Sequence, residues 1–207
     1  MFLALLFALT PAYGQSAQQL AAIVDRHYNA LKRLRVDFTE TYSGMGMDRR
    51  ETGVLLLEKP GRMRWNYAQP PGKVFVLDGK YGWFYTPGDA QVQQIPAKKL
   101  DDLRSPLRFL LGHAQLAREL RGLSMTAADK GRFRLRGVPQ GMEQRVRSLE
   151  LTVTPAGTIE AMTLEELDGS RTSFAFHDEQ PNPPLPPDTF RFTPPPGVPV
   201  VQGTPPV

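Results

Sequence analysis

The stretch from Gly53 to Pro70, GVLLLEKPGRMRWNYAQP, decides the fold. It reads as two strands joined by the turn Lys59-Pro60-Gly61. The first strand, Val54 to Glu58, is nearly all apolar. The second alternates, with Met63, Trp65 and Tyr67 on one face and Arg62, Arg64 and Asn66 on the other. A soft and aromatic surface on one side of a sheet must pack on a core or line a cavity for something greasy.

Upstream, Ser16 is placed to cap a helix carrying Leu20, Ile23, Val24, Tyr28, Leu31 and Leu34 at helical spacing, an expected length of about five turns. The period then changes to two. Val36, Phe38 and Tyr42 alternate with Arg35, Asp37, Thr39 and Thr41, so a strand follows directly, and Gly44 to Gly46 are expected to form a loop. Downstream, Lys73 to Leu77 and Tyr81 to Tyr85 flank the hairpin turn Asp78-Gly79, and Gln91 to Ile95 is another short strand.

From Pro96 the character changes. Lys98 to Arg104, Pro106 to Gly112 and Ala114 to Leu120 read as short helical pieces, with Leu103, Leu107, Leu110 and Leu111 in one apolar stripe. Strands resume at Leu123–Thr126, Arg132–Val138, Arg145–Thr154 and Thr158–Leu167, and after the turn Asp168-Gly169 at Arg171 to His177. The tail from Asp188 to Val201 is expected to open with a short strand carrying Phe190 and Phe192, then to become too rich in proline for the middle of a sheet. The sum is about ten strands in meander order, with an N-terminal helix and a helical insert.

At 207 residues the chain is expected to be one domain, over 15–201, with 202–207 a frayed tail. Residues 1–14, MFLALLFALTPAYG, resemble a secretory signal truncated at its start, since no Lys or Arg opens it, with cleavage expected near Gly14-Gln15. No later stretch approaches the ~20 apolar residues that a membrane helix needs. The mature chain is therefore expected to be exported and soluble. There is no cysteine, which excludes disulfides, thiolate metal sites, a cysteine nucleophile and a lipid anchor on an N-terminal Cys. The net charge of +4 is dispersed, which argues against nucleic-acid binding.

No catalytic constellation assembles. Glu165 and Glu166 are adjacent on a strand and point to opposite faces. Asp101 and Asp102 read as a solvated helix face. His27, His113 and His177 lie on different elements without ligand spacing, so no metal or cofactor is expected. Gly122-Leu123-Ser124-Met125-Thr126 lacks the closing glycine of a nucleophile elbow, and Gly44-Met45-Gly46 is not a dinucleotide loop.

From Ser16 to about Val201 the chain resembles the periplasmic outer-membrane lipoprotein carrier (LolA) family. The most specific parts are Gly53…Lys59-Pro60-Gly61-Arg62-Met63-Arg64-Trp65-Asn66-Tyr67…Pro70, Asp78-Gly79-Lys80…Trp83-Phe84-Tyr85 and Phe190-Arg191-Phe192…Pro195-Pro196-Gly197-Val198. The resemblance implies an α+β fold, mainly β: an incomplete, strongly curved antiparallel β-barrel with an N-terminal helix and a helical lid over its mouth. It also implies a monomeric periplasmic carrier that takes triacylated lipoproteins from an inner-membrane ABC transporter and passes them to an outer-membrane acceptor. The alternative on the same fold is a lipid-binding or envelope-stress-sensing module.

By this resemblance the acyl chains lie between barrel and lid, and Met63, Trp65, Tyr67, Leu107, Leu110 and Leu111 line the cavity. Phe38 and Trp83 line it or belong to the core according to strand register. Two positions depart from the family pattern. Lys59 stands where the family usually has an Arg that helps to latch the lid, and it reads either as a latch with fewer donors or as a solvated turn lysine. Met63 stands where an aromatic is usual.

Overall fold

The computed structural model describes residues 16–98 and 115–203. Its first element is α1 (Ala17–Ala30). The Ser16 hydroxyl accepts the Gln19 N–H at 3.1 Å, and the Gln19 side-chain oxygen accepts the Ser16 N–H at 2.8 Å, so two of the donors that a helix start leaves unpaired are satisfied reciprocally. The buried stripe is Leu20, Ala21, Val24 and Tyr28.

The helix ends a turn earlier than its apolar spacing suggests. Leu31 takes an extended conformation, and the Asn182 side-chain oxygen receives the N–H groups of Lys32 and Arg33 at 2.8 and 3.1 Å. Leu34 falls in the following strand, where it opens the period-two series that Val36 and Phe38 continue.

Among the described residues twelve strands follow: β1 (Arg33–Gly44), β2 (Met47–Glu58), β3 (Arg62–Gln69), β4 (Val74–Leu77), β5 (Tyr81–Tyr85), β6 (Val92–Pro96), β7 (Leu120–Ala128), β8 (Arg132–Pro139), β9 (Val146–Val153), β10 (Ile159–Glu166), β11 (Arg171–Pro181) and β12 (Val200–Gln202). They form one open sheet in the order β12-β6-β5-β4-β3-β2-β1-β11-β10-β9-β8-β7. All neighbours are antiparallel except β12, which runs parallel to β6. A short helix, α2 (Leu116–Glu119), precedes β7. The expected fold class, mainly β with an N-terminal helix and an unclosed barrel, is the one observed.

Three boundaries differ from expectation. The loop at Gly44–Gly46 is a two-residue turn, Met45-Gly46. Both residues have positive φ, the geometry that matches strand twist, so β2 starts at Met47 rather than near Val54. The last helical piece is reduced to α2, with Leu120 already paired to Pro139 in the sheet. In the tail the strand is not at Phe190–Phe192 but at Val200–Gln202, which takes in Gln202 from the expected frayed end. The carbonyls of Thr189 and Arg191 accept instead from the Arg64 guanidinium, each at 3.2 Å. The two N-terminal pieces of the helical insert lie outside the described residues apart from their first residue, Lys98.

The core is one contiguous cluster on the inner face of the sheet. It joins Leu34, Val36, Phe38, Leu55, Leu57, Met63 and Trp65 to Leu135, Leu149, Leu151, Val153 and Met162, with the buried stripe of α1 among them. On the outer face of β8–β10, Arg132 pairs with Glu160 at 2.6 Å and Arg134 with Glu150 at 3.6 Å, as suits a face left to water.

Candidate functional site

The aromatic face of the opening hairpin lies on the inner side of the sheet. Phe38 is its centre, 1% exposed. Its ring meets Trp65 edge-on at 4.6 Å and Tyr67 edge-on at 5.2 Å. Phe38 stands opposite Gly53 in the ladder. A Cβ at Gly53 would come within 2.8 Å of the Phe38 ring, so glycine is what lets that ring lie across β2 toward β3.

Met63 and Trp65 are linked directly, the indole N–H donating to the Met63 sulfur at 2.9 Å. The wall continues through Phe174, 5.3 Å from Trp65, to Phe176, stacked on Phe174 at 6.0 Å. Tyr67, Phe174 and Phe176 are half-buried where Phe38, Met63 and Trp65 are fully so. Four of the residues singled out from the sequence, Phe38, Met63, Trp65 and Tyr67, are thus brought together.

Trp83 is not with them. Register pairs Arg64 with Val76 and Val76 with Trp83, whereas Trp65 pairs with Phe75 and Phe75 with Phe84. Trp83 therefore sits on the outer face, against Phe192 at 5.5 Å, its indole N–H donating to Asp78 at 2.8 Å. It belongs to the contact between sheet and tail, not to the inner wall. Leu107, Leu110 and Leu111 lie outside the described residues.

Lys59 donates to the Tyr28 carbonyl at 2.6 Å, at the C-terminal turn of α1, where a cation also complements the helix dipole. Partial burial lowers its pKa from the ordinary lysine value. The same Tyr28 accepts the Ile159 N–H on its hydroxyl at 3.0 Å and donates to Glu179 at 2.9 Å, while His27 meets the other Glu179 oxygen at 2.7 Å. Asp25 of α1 accepts the Leu116 N–H at 3.1 Å and so anchors the segment that follows the insert. Burial lifts the Asp25 carboxyl above the usual range, against the lowering effect of that hydrogen bond.

Two groups of residues escaped the sequence reading. Phe174 and Phe176 belong to the period-two run Phe174-Ala175-Phe176, a signal that was available. The other group is charged. Glu40 and Glu51 are direct cross-strand neighbours on the inner face, 8% and 4% exposed. Lys73 bonds Glu51 at 2.6 Å and lies 4.2 Å over the Tyr67 ring. Arg49 approaches Glu51 at 3.4 Å and Glu40 at 3.8 Å, and the Tyr67 hydroxyl donates to Glu40 at 3.1 Å. Burial raises the Glu40 carboxyl above the ordinary range, opposed by the Tyr67 hydrogen bond, and it raises the Tyr67 phenol too. The signal for Glu40 was its place in the alternation Val36, Phe38, Glu40, Tyr42, where the apolar series is interrupted.

Among the described residues the inner wall presents aromatic and thioether surface, bordered by the Glu40–Glu51 pair. The family model described as outer membrane lipoprotein carrier protein LolA matches residues 29–193. The chain belongs to that family. The outer-membrane lipoprotein carrier protein of Chromobacterium violaceum is 30% identical over 193 residues, covering 93% of this chain and 90% of its own. That of Nitrosomonas europaea is 30% identical over 156 residues, 74% of each chain. Among solved structures, an uncharacterized conserved protein from Thermus thermophilus superposes with a TM-score of 0.56 at 14% identity, covering 90% of this chain and 99% of that one, a likeness of fold alone.

Proposed function

We propose that the protein is a periplasmic lipoprotein carrier. It shelters the acyl chains of its cargo against the inner wall. It takes triacylated lipoproteins from an inner-membrane ABC transporter and delivers them to an outer-membrane acceptor. The observation that carries this reading is the continuous wall of Met63, Trp65, Phe38, Tyr67, Phe174 and Phe176 on the inner face of a sheet that does not close. Membership of the family, whose relatives bear the carrier name, supports it.

Such a task needs no catalytic residue. Each methylene removed from water contributes roughly 0.8 kcal/mol, so exposing a sixteen-carbon chain costs about 12 kcal/mol. A carrier offsets most of that and still lets go, which a soft surface containing Met63 suits. Lys59, bonded to the Tyr28 carbonyl of α1, takes the latch role. Among the described residues no helix is long and apolar enough to cross a membrane.

The test is release of acylated lipoprotein from spheroplasts by the purified protein, with the lipoprotein recovered in the soluble fraction bound to it. Uptake of free fatty acid without any uptake of triacylated lipoprotein would refute the carrier reading.

A further inference from the structure

The inner wall has a polar end. Along β1 the inner-facing residues are Leu34, Val36 and Phe38, then Glu40. Along β2, read in the opposite direction, they are Leu57, Leu55 and Gly53, then Glu51. On β3 they are Met63 and Trp65, then Tyr67 with its hydroxyl on Glu40. Tyr67 lies level with Gly53 and Phe38, one inner-facing step before the Glu40–Glu51 pair, and its hydroxyl reaches forward to Glu40, so the three adjacent strands turn polar together on the side of the sheet away from the Lys59 turn.

Burying two carboxylates there is costly, and an apolar replacement of such a network is often neutral or stabilising, so stability alone does not account for it. Its charges balance: Glu40 and Glu51 against Arg49 and Lys73. Its hydrogen-bonding capacity does not. Among the described residues the Lys73 ammonium, with three donors, has one hydrogen-bond acceptor, Glu51. Arg49, half exposed, brings five more donors to the same carboxylates at the long distances of 3.4 and 3.8 Å. What the network has left over is N–H donors of Lys73, whose ammonium lies over the Tyr67 ring, and of the half-exposed Arg49, whose guanidinium lies over the Tyr42 ring.

We propose that this polar end is a seat for the carbonyl oxygens of the ester and amide linkages that join acyl chains to their head. The linkage presents carbonyl acceptors with no charge to neutralise, and it is the one part of an acylated cargo that must sit where apolar surface gives way to water. Lys73 and Arg49 donate to it, Glu51 and Glu40 hold those cations in place, and the chains run from there along Tyr67, Phe38 and Trp65 toward Met63. Cargo is therefore held in one direction, head at the Met45-Gly46 end of the sheet and chain ends toward the Lys59 turn.

The seat rests on the carrier reading, and two probes separate the two. One is a synthetic tripalmitoylated lipopeptide; the other is diphenylhexatriene, apolar and without a carbonyl. The double variant Glu51→Met/Lys73→Met removes an ion pair as a unit, leaving neither charge buried alone. It is expected to bind the lipopeptide about tenfold more weakly, the scale of one hydrogen bond from a charged donor, and diphenylhexatriene within about twofold of the unaltered protein. Equal weakening toward both probes, or no weakening toward either, overturns the seat.

Should the double variant not fold, the unaltered protein decides by acetylation of Lys73 followed by mass spectrometry. Protection of Lys73 by the lipopeptide but not by diphenylhexatriene supports the seat, and absence of that protection overturns it. Binding of diphenylhexatriene with no binding of lipopeptide by the unaltered protein sinks the carrier reading and the seat together.

Discussion

The two flanks of the sheet are built differently. Strands β8 to β10 have eight residues each, apolar inside and paired Arg and Glu outside, so a single layer suffices. Strands β4 to β6 have only four or five residues, and both of their faces are covered. Inside they carry Phe75 and Leu77; outside, Val76 and Trp83 lie under a tail that brings Phe190 and Phe192 and is held by Arg64. Short strands make few ladder bonds, and the tail supplies as a second layer what their length does not. The aromatic wall sits between the two flanks, on β1, β3 and β11, with Phe38, Met63 and Trp65 fully buried and Tyr67, Phe174 and Phe176 half-buried.

The most severe test of this contrast is Leu151→Ala, at a fully buried position of the long-strand flank. A loss of about 2–5 kcal/mol in denaturant unfolding is expected, with loss of the whole cooperative transition rather than part of it. Phe190→Ala should cost about 3 kcal/mol and raise hydrogen exchange in β5, β6 and β12 while sparing β8 to β10. Uniform exchange across the sheet would contradict the two-layer account.

Gly53→Ala is next, since its methyl group would fall against the Asn66 carbonyl oxygen of β3 and 2.8 Å from the Phe38 ring. A loss of about 1–3 kcal/mol is expected, with altered Trp65 fluorescence. Lys59→Met removes one hydrogen bond to α1 and should cost about 1 kcal/mol, read as a lower melting temperature.

The smallest effect concerns pH. Burial raises the Glu40 carboxyl above its ordinary value of 4.5, so the folded protein holds this proton more tightly than the unfolded chain. That contribution favours folding at low pH and is lost as pH rises from about 4.5 through the raised value. Glu40→Gln should abolish this part of the pH dependence in thermal melts and leave the variant no less stable at neutral pH.

Much of this was legible in advance because alternation is a local signal. The meander, the turns at Asp78-Gly79 and Asp168-Gly169 and the inner placement of Met63, Trp65 and Tyr67 all follow from period two. What escaped depended on partners distant in sequence. The side of the sheet on which Trp83 falls is set by ladder register across β3, β4 and β5. The end of α1 is set by Asn182, some 150 residues away in sequence. The tail became a strap because Arg64 took its carbonyls, which no reading of the prolines alone reveals. Glu40 was visible as a break in a pattern, but its meaning required Glu51, Lys73 and Tyr67 around it.

Tyr28 has a consequence for the whole shape. Its carbonyl is held by Lys59 from the turn between β2 and β3, and its hydroxyl by Ile159 of β10 and Glu179 of β11. The outer strands β12 and β7 share no hydrogen bonds, so nothing in the ladder fixes how far the sheet gapes. One residue, gripped at both ends by strands on either side of β1, acts as a rivet across the curve. It ties the turn between β2 and β3 to β10 and β11 through a single residue.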